Sequence, residues 1–544
     1  MNLKRFKETL SKKLKTHNII LVTLIITGAL LRINGLDYGL PLRFHPDEGV
    51  IINPALRIAT SGDLDPRVYY RPNHISVYLN ALSFKFYSLV RSFLFDIRGS
   101  VQRQFNEHPD PYVYLSRLIT ASLGTLMILS MFFLGKEVGG KRVGLLSSSF
   151  TAFFPSFIQH SHYATADIPL VFFISMVALF VCKYMKRKKI IFLLLGCLFC
   201  GLASAEKYPG VLSTTMIILG IVFSHWQRKA SILKIGVISF IAYFSSIFVA
   251  APFLFINYKR VLQGIAFEMY TYHLGASGLG WHGNLLYYLN VLRENMGMLL
   301  WTFFLMGIFL FIIKFKKYLK IKHYLSISLF GLIYFVLLFI AALHWESWAL
   351  PMYIIPIVIA SVGVNSLSMF LRRKTSQMNS ILFILLVILI SSLFFRGLSQ
   401  SINFSMPDTR TVSKQWISEN LPNKARIVAD AYTPIKPGCC GSVAEKSLEE
   451  FKKDGIDYVV VSSFMYERIL KEKDRYPREV DFYTKLFEKE KLVKSFSATS
   501  IDLGNNDLIT IYRGIRELIK YLQQKEIYLR GPEIEIYKIS TDNF

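Results

Sequence analysis

Gln159–Lys189 reads QHSHYATADIPLVFFISMVALFVCKYMKRKK, and its pattern recurs along the whole chain. A short loop carrying histidines and an acid opens it. An uncharged apolar run follows, and lysines with an arginine close it. About 20 residues of that kind cross the hydrocarbon core of a bilayer as a helix. Working outward from this unit, comparable apolar runs lie near 18–34, 113–134, 142–158, 163–182, 190–205, 209–224, 235–256, 285–313, 324–343, 350–371 and 379–395. The expectation is an α-helical polytopic membrane protein with about eleven transmembrane helices. A chain that is 52% hydrophobic, 15% aromatic and 18% charged over 544 residues agrees with that class.

The formal net charge of +26 raises nucleic acid as a partner, but its distribution argues for topology instead. Segment 1–18 and the loops around 135–142, 183–189, 225–234, 314–322 and 371–376 hold about 25 Lys and Arg, as cytoplasmic loops do. The alternate loops hold few cations. This asymmetry predicts a basic cytoplasmic N-terminus over 1–17, with the first helix as an uncleaved anchor. An odd number of spans then puts the C-terminal segment outside. His74–Phe95 is apolar but carries Lys85 and Arg91 in mid-run. Each would cost about 2.5–3.5 kcal/mol at a bilayer centre, and a span here would invert every later loop. An interfacial amphipathic helix is expected, inside a long first external loop of about 35–112, after a shorter helix starting at Pro46.

From about 400 the pattern changes to a small soluble α/β domain over 400–544. Lys424–Asp430, Asp457–Ser463 and Glu533–Ile539 read as strands; Ser413–Glu419, Ser447–Lys453 and Asp481–Lys489 read as helices. No glycine-rich phosphate loop follows a strand, so no nucleotide is assigned. Cys182, Cys197 and Cys200 read as small buried hydrophobes. Cys439 and Cys440 are adjacent and ill-placed for an ordinary bridge.

The external loops carry the chemistry. His45-Pro46-Asp47-Glu48 follows the first span, and a carboxylate at a low-dielectric surface suits a general base for a hydroxyl. Proline and acids in a first helical turn are also ordinary helix openings. His160, His162 and Asp167 have the residue types for a metal or a phosphate contact, or for interface histidines beside a helix cap. Lys207, in Glu206-Lys207-Tyr208, is either a snorkelling lysine or a point charge for a lipid phosphate. His344-Trp345-Glu346 sits in an aromatic belt that accounts for the tryptophan better than for His344 or Glu346. Leu274–Gly283, with His282, reads as a flexible loop or a lid. Charges gathered at one face favour an enzyme over a transporter, which would need them near the midplane.

HPDE after the first span, HSHYATAD-IPLVFF opening a later helix, and AEKYPG between the next two resemble glycosyltransferase family 39. Protein O-mannosyltransferases and the lipid A aminoarabinose transferase are among its members. The resemblance covers about 20–400 and implies a GT-C fold for a catalytic domain over 18–399. It implies transfer, usually inverting, of one sugar from a polyprenyl-phosphate donor to an acceptor protein, lipid or glycan. It also implies a site at the outer surface of a bacterial inner (plasma) membrane. Carried onto this chain, Asp47 is the base and Glu48 supports or binds. Lys207, His162 and Tyr208 meet the donor phosphate. His160, Asp167 and His45 are candidates for a donor contact or a divalent metal, and His282, His344 and Glu346 for an acceptor contact or lid. Arg71-Pro72-Asn73 departs from the more apolar segment of many relatives, so acceptor specificity does not carry over.

Overall fold

The computed structural model describes residues 3–97, 99–313, 322–371, 376–436, 441–499, 501, 503–504, 506–523 and 528–540. Cys439 and Cys440, and parts of two basic loops, lie outside the described residues. A helix answers each expected span but one. Among the described residues, eight helices are long and apolar enough to cross a membrane: Thr16–Ile33, Asp110–Gly139, Asp167–Arg187, Tyr208–His225, Lys229–Ala250, Gly280–Ile313, Glu346–Leu371 and Ser380–Ser405. Two more, Ile190–Glu206 and Tyr324–Ile340, are apolar but shorter. The run expected near 142–158 is instead two helices, α6 (Lys141–Phe153) and α7 (Pro155–Ser161). Pro155 has no N–H to continue the ladder and starts a new helix at its first turn.

The first loop folds as α2 (Glu48–Ser61), α3 (His74–Phe95) and α4 (Val101–Glu107). One side of α3 is buried through Val77, Ala81, Phe84, Ser88 and Arg91, while Leu82, Phe86, Leu89 and Phe93 are exposed with Lys85 beside them. Arg91 thus turns into the protein, and an apolar stripe is left facing outward, as an interfacial helix requires. Helices α5 (Asp110–Gly139), α8 (Asp167–Arg187), α9 (Ile190–Glu206), α10 (Thr214–His225) and α11 (Lys229–Ala250) pack with α1 (Leu3–Ile33) around one apolar core. After α12 (Phe253–Ile256), α13 (Tyr258–Tyr270) runs over the surface, and α14 (Gly280–Ile313) returns. Gly297 breaks α14 in mid-course with φ 70° and ψ 171°, a conformation that glycine alone adopts without strain.

The C-terminal domain has a four-stranded sheet in the order β1 (Ile427–Ala429), β2 (Tyr458–Ser462), β4 (Ile534–Lys538), β3 (Lys491–Phe496). β1 and β2 are parallel; β4 is antiparallel to both of its neighbours. The period of two is plain on β2. Val459 and Val461 face Phe451, Phe482, Tyr483 and Leu486, whereas Val460 faces Trp416 and Ile417 of the helix Thr409–Asn420. Three strands and three helices match the expected ones. β3 and the helices Ser463–Lys471 and Asp507–Leu522 are additions.

Candidate active site

The two acids of the HPDE motif have different surroundings. Glu48, the first residue of α2, is fully buried and meets Arg117 of α5 through two hydrogen bonds, Nε–Oε1 at 2.7 Å and Nη2–Oε2 at 3.0 Å. Arg117 also donates to the carbonyls of Leu36 and Tyr38 at 2.7 and 2.8 Å and lies 3.8 Å from the Tyr38 ring centroid. The Ala164 amide donates to Glu48 from the opposite loop at 3.3 Å. Glu48 therefore pins the start of α2 between two spans. Asp47 is 44% exposed at its side chain, and its Oδ1 lies 2.9 Å from Arg71 Nη1. Arg71 is shared with Glu268 of α13, 3.1 Å away through Nη2. Of the two acids, Asp47 is the one open to solvent.

The segment holding Arg71 is tied to the loop holding Lys207. The Tyr208 hydroxyl donates to the Tyr69 carbonyl at 2.5 Å, and the Asn73 amide donates to the Glu206 carbonyl at 2.9 Å. Ser76 gives both its amide, at 2.9 Å, and its hydroxyl to the buried Glu206 carboxylate. In the middle of this joint, Lys207 Nζ reaches Asp167 Oδ1 at 2.6 Å, both side chains largely covered. Asp167 opens α8, where the positive end of the helix also favours an anion.

His45 and His160 flank this pair. The His45 ring lies 4.1 Å from that of Tyr163, and His160 lies 5.7 Å from the same ring on its own side. His160 is close enough to Asp167, Lys207, His45 and Glu346 to feel their charges. Burial lowers the titration range of His45, against the nearby carboxylates of Asp47, Glu48 and Asp167. Among the described residues, His45 Nδ1 and His160 Nε2 are buried without a hydrogen-bond partner, an arrangement that is costly unless a ligand uses it. Glu346 is held from below by Ser156 at 3.2 Å and Asn295 at 3.5 Å.

Other expected residues lie elsewhere. His162 is buried and stacked on Phe404 at 4.0 Å, with its ring nitrogens 2.8 and 2.9 Å from the carbonyls of Ile158 and Asn34. It braces the loop from behind and is not among the groups around Lys207. The Tyr208 hydroxyl is committed to the joint described above. His282 is exposed and stacked on Trp281. The His344 amide donates to the Ala276 carbonyl at 2.9 Å, so the 271–280 loop is fixed on one side by His344. On the other side Glu472 of the C-terminal domain accepts from the Tyr272 hydroxyl at 2.5 Å and the Gly275 amide at 2.7 Å. Among the described residues, no three His, Cys, Asp or Glu side chains come together as a metal set. Arg117, Glu268 and Ser76 went unremarked in the sequence. An arginine inside an apolar run, as Arg117 is, was the available signal, since such a charge needs a buried partner.

Residues 81–263 match the family model of dolichyl-phosphate-mannose-protein mannosyltransferases. The match takes in HSHYATAD and AEKYPG but begins after HPDE. The apo oligosaccharyltransferase of Archaeoglobus fulgidus superposes with a TM-score of 0.55 at 12% identity, over 96% of this chain and 88% of that one. The chain has the GT-C fold. The archaeal oligosaccharyltransferase AglB from Archaeoglobus fulgidus, in complex with an inhibitory peptide and a dolichol-phosphate, is another GT-C neighbour. It has a TM-score of 0.53 at 13% identity over 97% and 89% of the two chains. ArnT from Cupriavidus metallidurans bound to undecaprenyl phosphate is similar with a TM-score of 0.48 at 13% identity, over 83% and 94%. No curated protein matches in sequence. This GT-C chain is thus an integral membrane protein whose resemblance to the mannosyltransferase group holds over the matched residues.

Proposed function

We propose that the protein is a membrane glycosyltransferase that moves a single sugar from a polyprenyl-phosphate donor to an acceptor hydroxyl, with inversion. The acceptor oxygen attacks the anomeric carbon as its proton passes to Asp47. The bond from that carbon to the phosphate oxygen breaks, and polyprenyl phosphate leaves with the bonding electrons. Lys207 is the cation for that phosphate, and the buried nitrogens His45 Nδ1 and His160 Nε2 are the neutral donors beside it. Such fixed donors in a water-poor site are worth several kcal/mol to a developing anion. Arg71 orients Asp47, and Glu48 anchors the turn that carries it. The orientation follows the basic loops, with the site and the C-terminal domain outside. A lipid-linked donor fits a site at the end of the bundle, because the prenyl chain can stay in the bilayer.

The observation that supports this reading is the joint between 69–76 and 206–208, which ties the segment whose Arg71 pairs with the accessible Asp47 to the loop of the half-buried Lys207. The test is sugar transfer in proteoliposomes from a panel of labelled polyprenyl-phosphate hexoses. Asp47→Asn is expected to lower the rate by about 10²–10⁴, the usual worth of a general base, at unchanged expression. Undiminished transfer by Asp47→Asn removes that residue from the role. No transfer by wild type from any donor overturns the reading as a whole.

A further inference from the structure

The helix Asp507–Leu522 belongs by sequence to the soluble domain but packs on membrane spans. Its inner face holds Asp507, Thr510 and Gly514, all buried. Gly514 lies so close to Phe395 of the last span that a Cβ there would meet the ring carbon at 2.7 Å. Arg396 donates to Thr510 Oγ1 at 3.1 Å and to the Gly504 carbonyl at 3.0 Å. Asp507 accepts from the Ser392 hydroxyl at 2.5 Å and from the Leu299 amide at 2.8 Å. Leu299 follows the Gly297 break, so the carboxylate caps backbone that the broken helix α14 leaves without a partner. Within a bilayer such groups must be satisfied by protein.

The outer face of the same helix is apolar and uncovered. Leu508, Ile509, Tyr512, Ile515, Ile519 and Leu522 are between 45% and 70% exposed. Positions 508, 512, 515, 519 and 522 form one stripe at helical spacing. A stripe of that size on a soluble domain would invite association. Its position answers the difficulty. The last span, Ser376–Ser405, exposes Ile381, Phe383, Ile384 and Val387 along its first half, whereas Ser392, Phe395 and Arg396 in its second half meet the Asp507–Leu522 helix. The new helix covers that second half and carries the apolar surface onward. Met298, next to the capped amide of Leu299, is exposed at the same level. Arg513, Arg516 and Lys520 lie along one flank of the stripe, as in helices that sit among anionic headgroups.

We infer that Asp507–Leu522 is a membrane-embedded amphipathic helix, with acyl chains of the leaflet beside the C-terminal domain as its occupant. It fastens that domain to the last span and to α14. The inference does not depend on the enzymatic reading.

The test uses the full chain in lipid nanodiscs, with Cys439 and Cys440 replaced by Ser; Cys182, Cys197 and Cys200 are buried. Nitroxides are placed by Tyr512→Cys and, separately, Arg516→Cys, and their collisions with oxygen and with a nickel chelate are measured. The expected ratio of oxygen to nickel collisions is severalfold higher at 512 than at 516. Leu522→Cys reads the same stripe if Tyr512→Cys expresses poorly. Free access of the nickel chelate to the stripe overturns the inference. So does a stripe closed to both reagents with spin–spin broadening, which would mean a second copy covers it.

Discussion

Replacing Glu48 separates a structural acid from a chemical one. In the native chain its carboxylate takes two charge-assisted bonds from Arg117, each side chain being fully buried. Such bonds contribute about 1.5–3 kcal/mol each. Removing one member of a buried ion pair costs about 3–5 kcal/mol, because the remaining charge stays buried without a counter-charge. Arg117 would keep the carbonyls of Leu36 and Tyr38 and the Tyr38 ring, which offset only part of that cost. Glu48→Ala should therefore lower the unfolding free energy in bicelles by about 3–5 kcal/mol. Glu48→Gln keeps an acceptor for one of the bonds and should fall at or below the low end. Glu48→Leu together with Arg117→Leu should recover much of the loss, since a buried ion pair replaced by apolar residues is often near neutral. Steric trapping or denaturant titration gives the free energies, and sugar transfer is followed in parallel. Native stability in Glu48→Ala, with transfer abolished, would refute the reasoning and make Glu48 a chemical participant.

Arg71→Ala leaves Asp47 without its nearest cation. Transfer should fall while the unfolding free energy changes little, because exposed or half-exposed pairs contribute only about 0–1 kcal/mol; an unaltered rate would remove Arg71 from the positioning role. Gly297→Ala forces a β-carbon onto a backbone at φ 70°, within 3.2 Å of Asp507 Oδ1. A loss of about 1–3 kcal/mol is expected from the conformation alone, checked by unfolding in bicelles. In the soluble domain, burial pushes the Asp430 carboxyl up from 3.8 to about 7, against the bonds from the Val443 amide and the Tyr483 hydroxyl. The folded state then holds a proton that the unfolded chain has released. Stability is fully present below the unfolded pKa near 4 and is lost as pH rises to about 7, by up to roughly 4 kcal/mol. Thermal unfolding followed at Trp416 between pH 4 and 8 should show that slope in the wild type and not in Asp430→Asn.

The spans were legible because hydrocarbon thickness acts on local composition. The two mid-run charges of His74–Phe95 argued against a span there, and Arg91 does turn inward. What escaped depended on partners far away in sequence. Nothing near Asp47 announces that its cation is Arg71, or that Arg117 belongs to Glu48. β3 escaped because it is an edge strand with mostly exposed side chains, so KLVKSF lacks the alternation of a buried one. The helix Asp507–Leu522 had the periodicity but sits in a segment read as soluble, where an apolar stripe has no evident cover. The division of α6 from α7 was written in Phe154-Pro155 and was overridden by the apolar count.

Arg32 gives this architecture an order in time. It is fully buried near the end of α1, donating to the carbonyls of Gly28, Ala152 and Thr151 at 2.9–3.0 Å. Ala152 is 120 positions further along the chain. A ribosome delivers Arg32 to the membrane long before the backbone that will receive it exists. Glu48 likewise precedes Arg117 by 69 positions, and the amide of Leu299 precedes its cap, Asp507, by 208. Each latch is closed by a segment made later. A nascent chain released early, at any point before Asp507, leaves at least one of them open, with an unsatisfied polar group at the membrane for quality control to recognise.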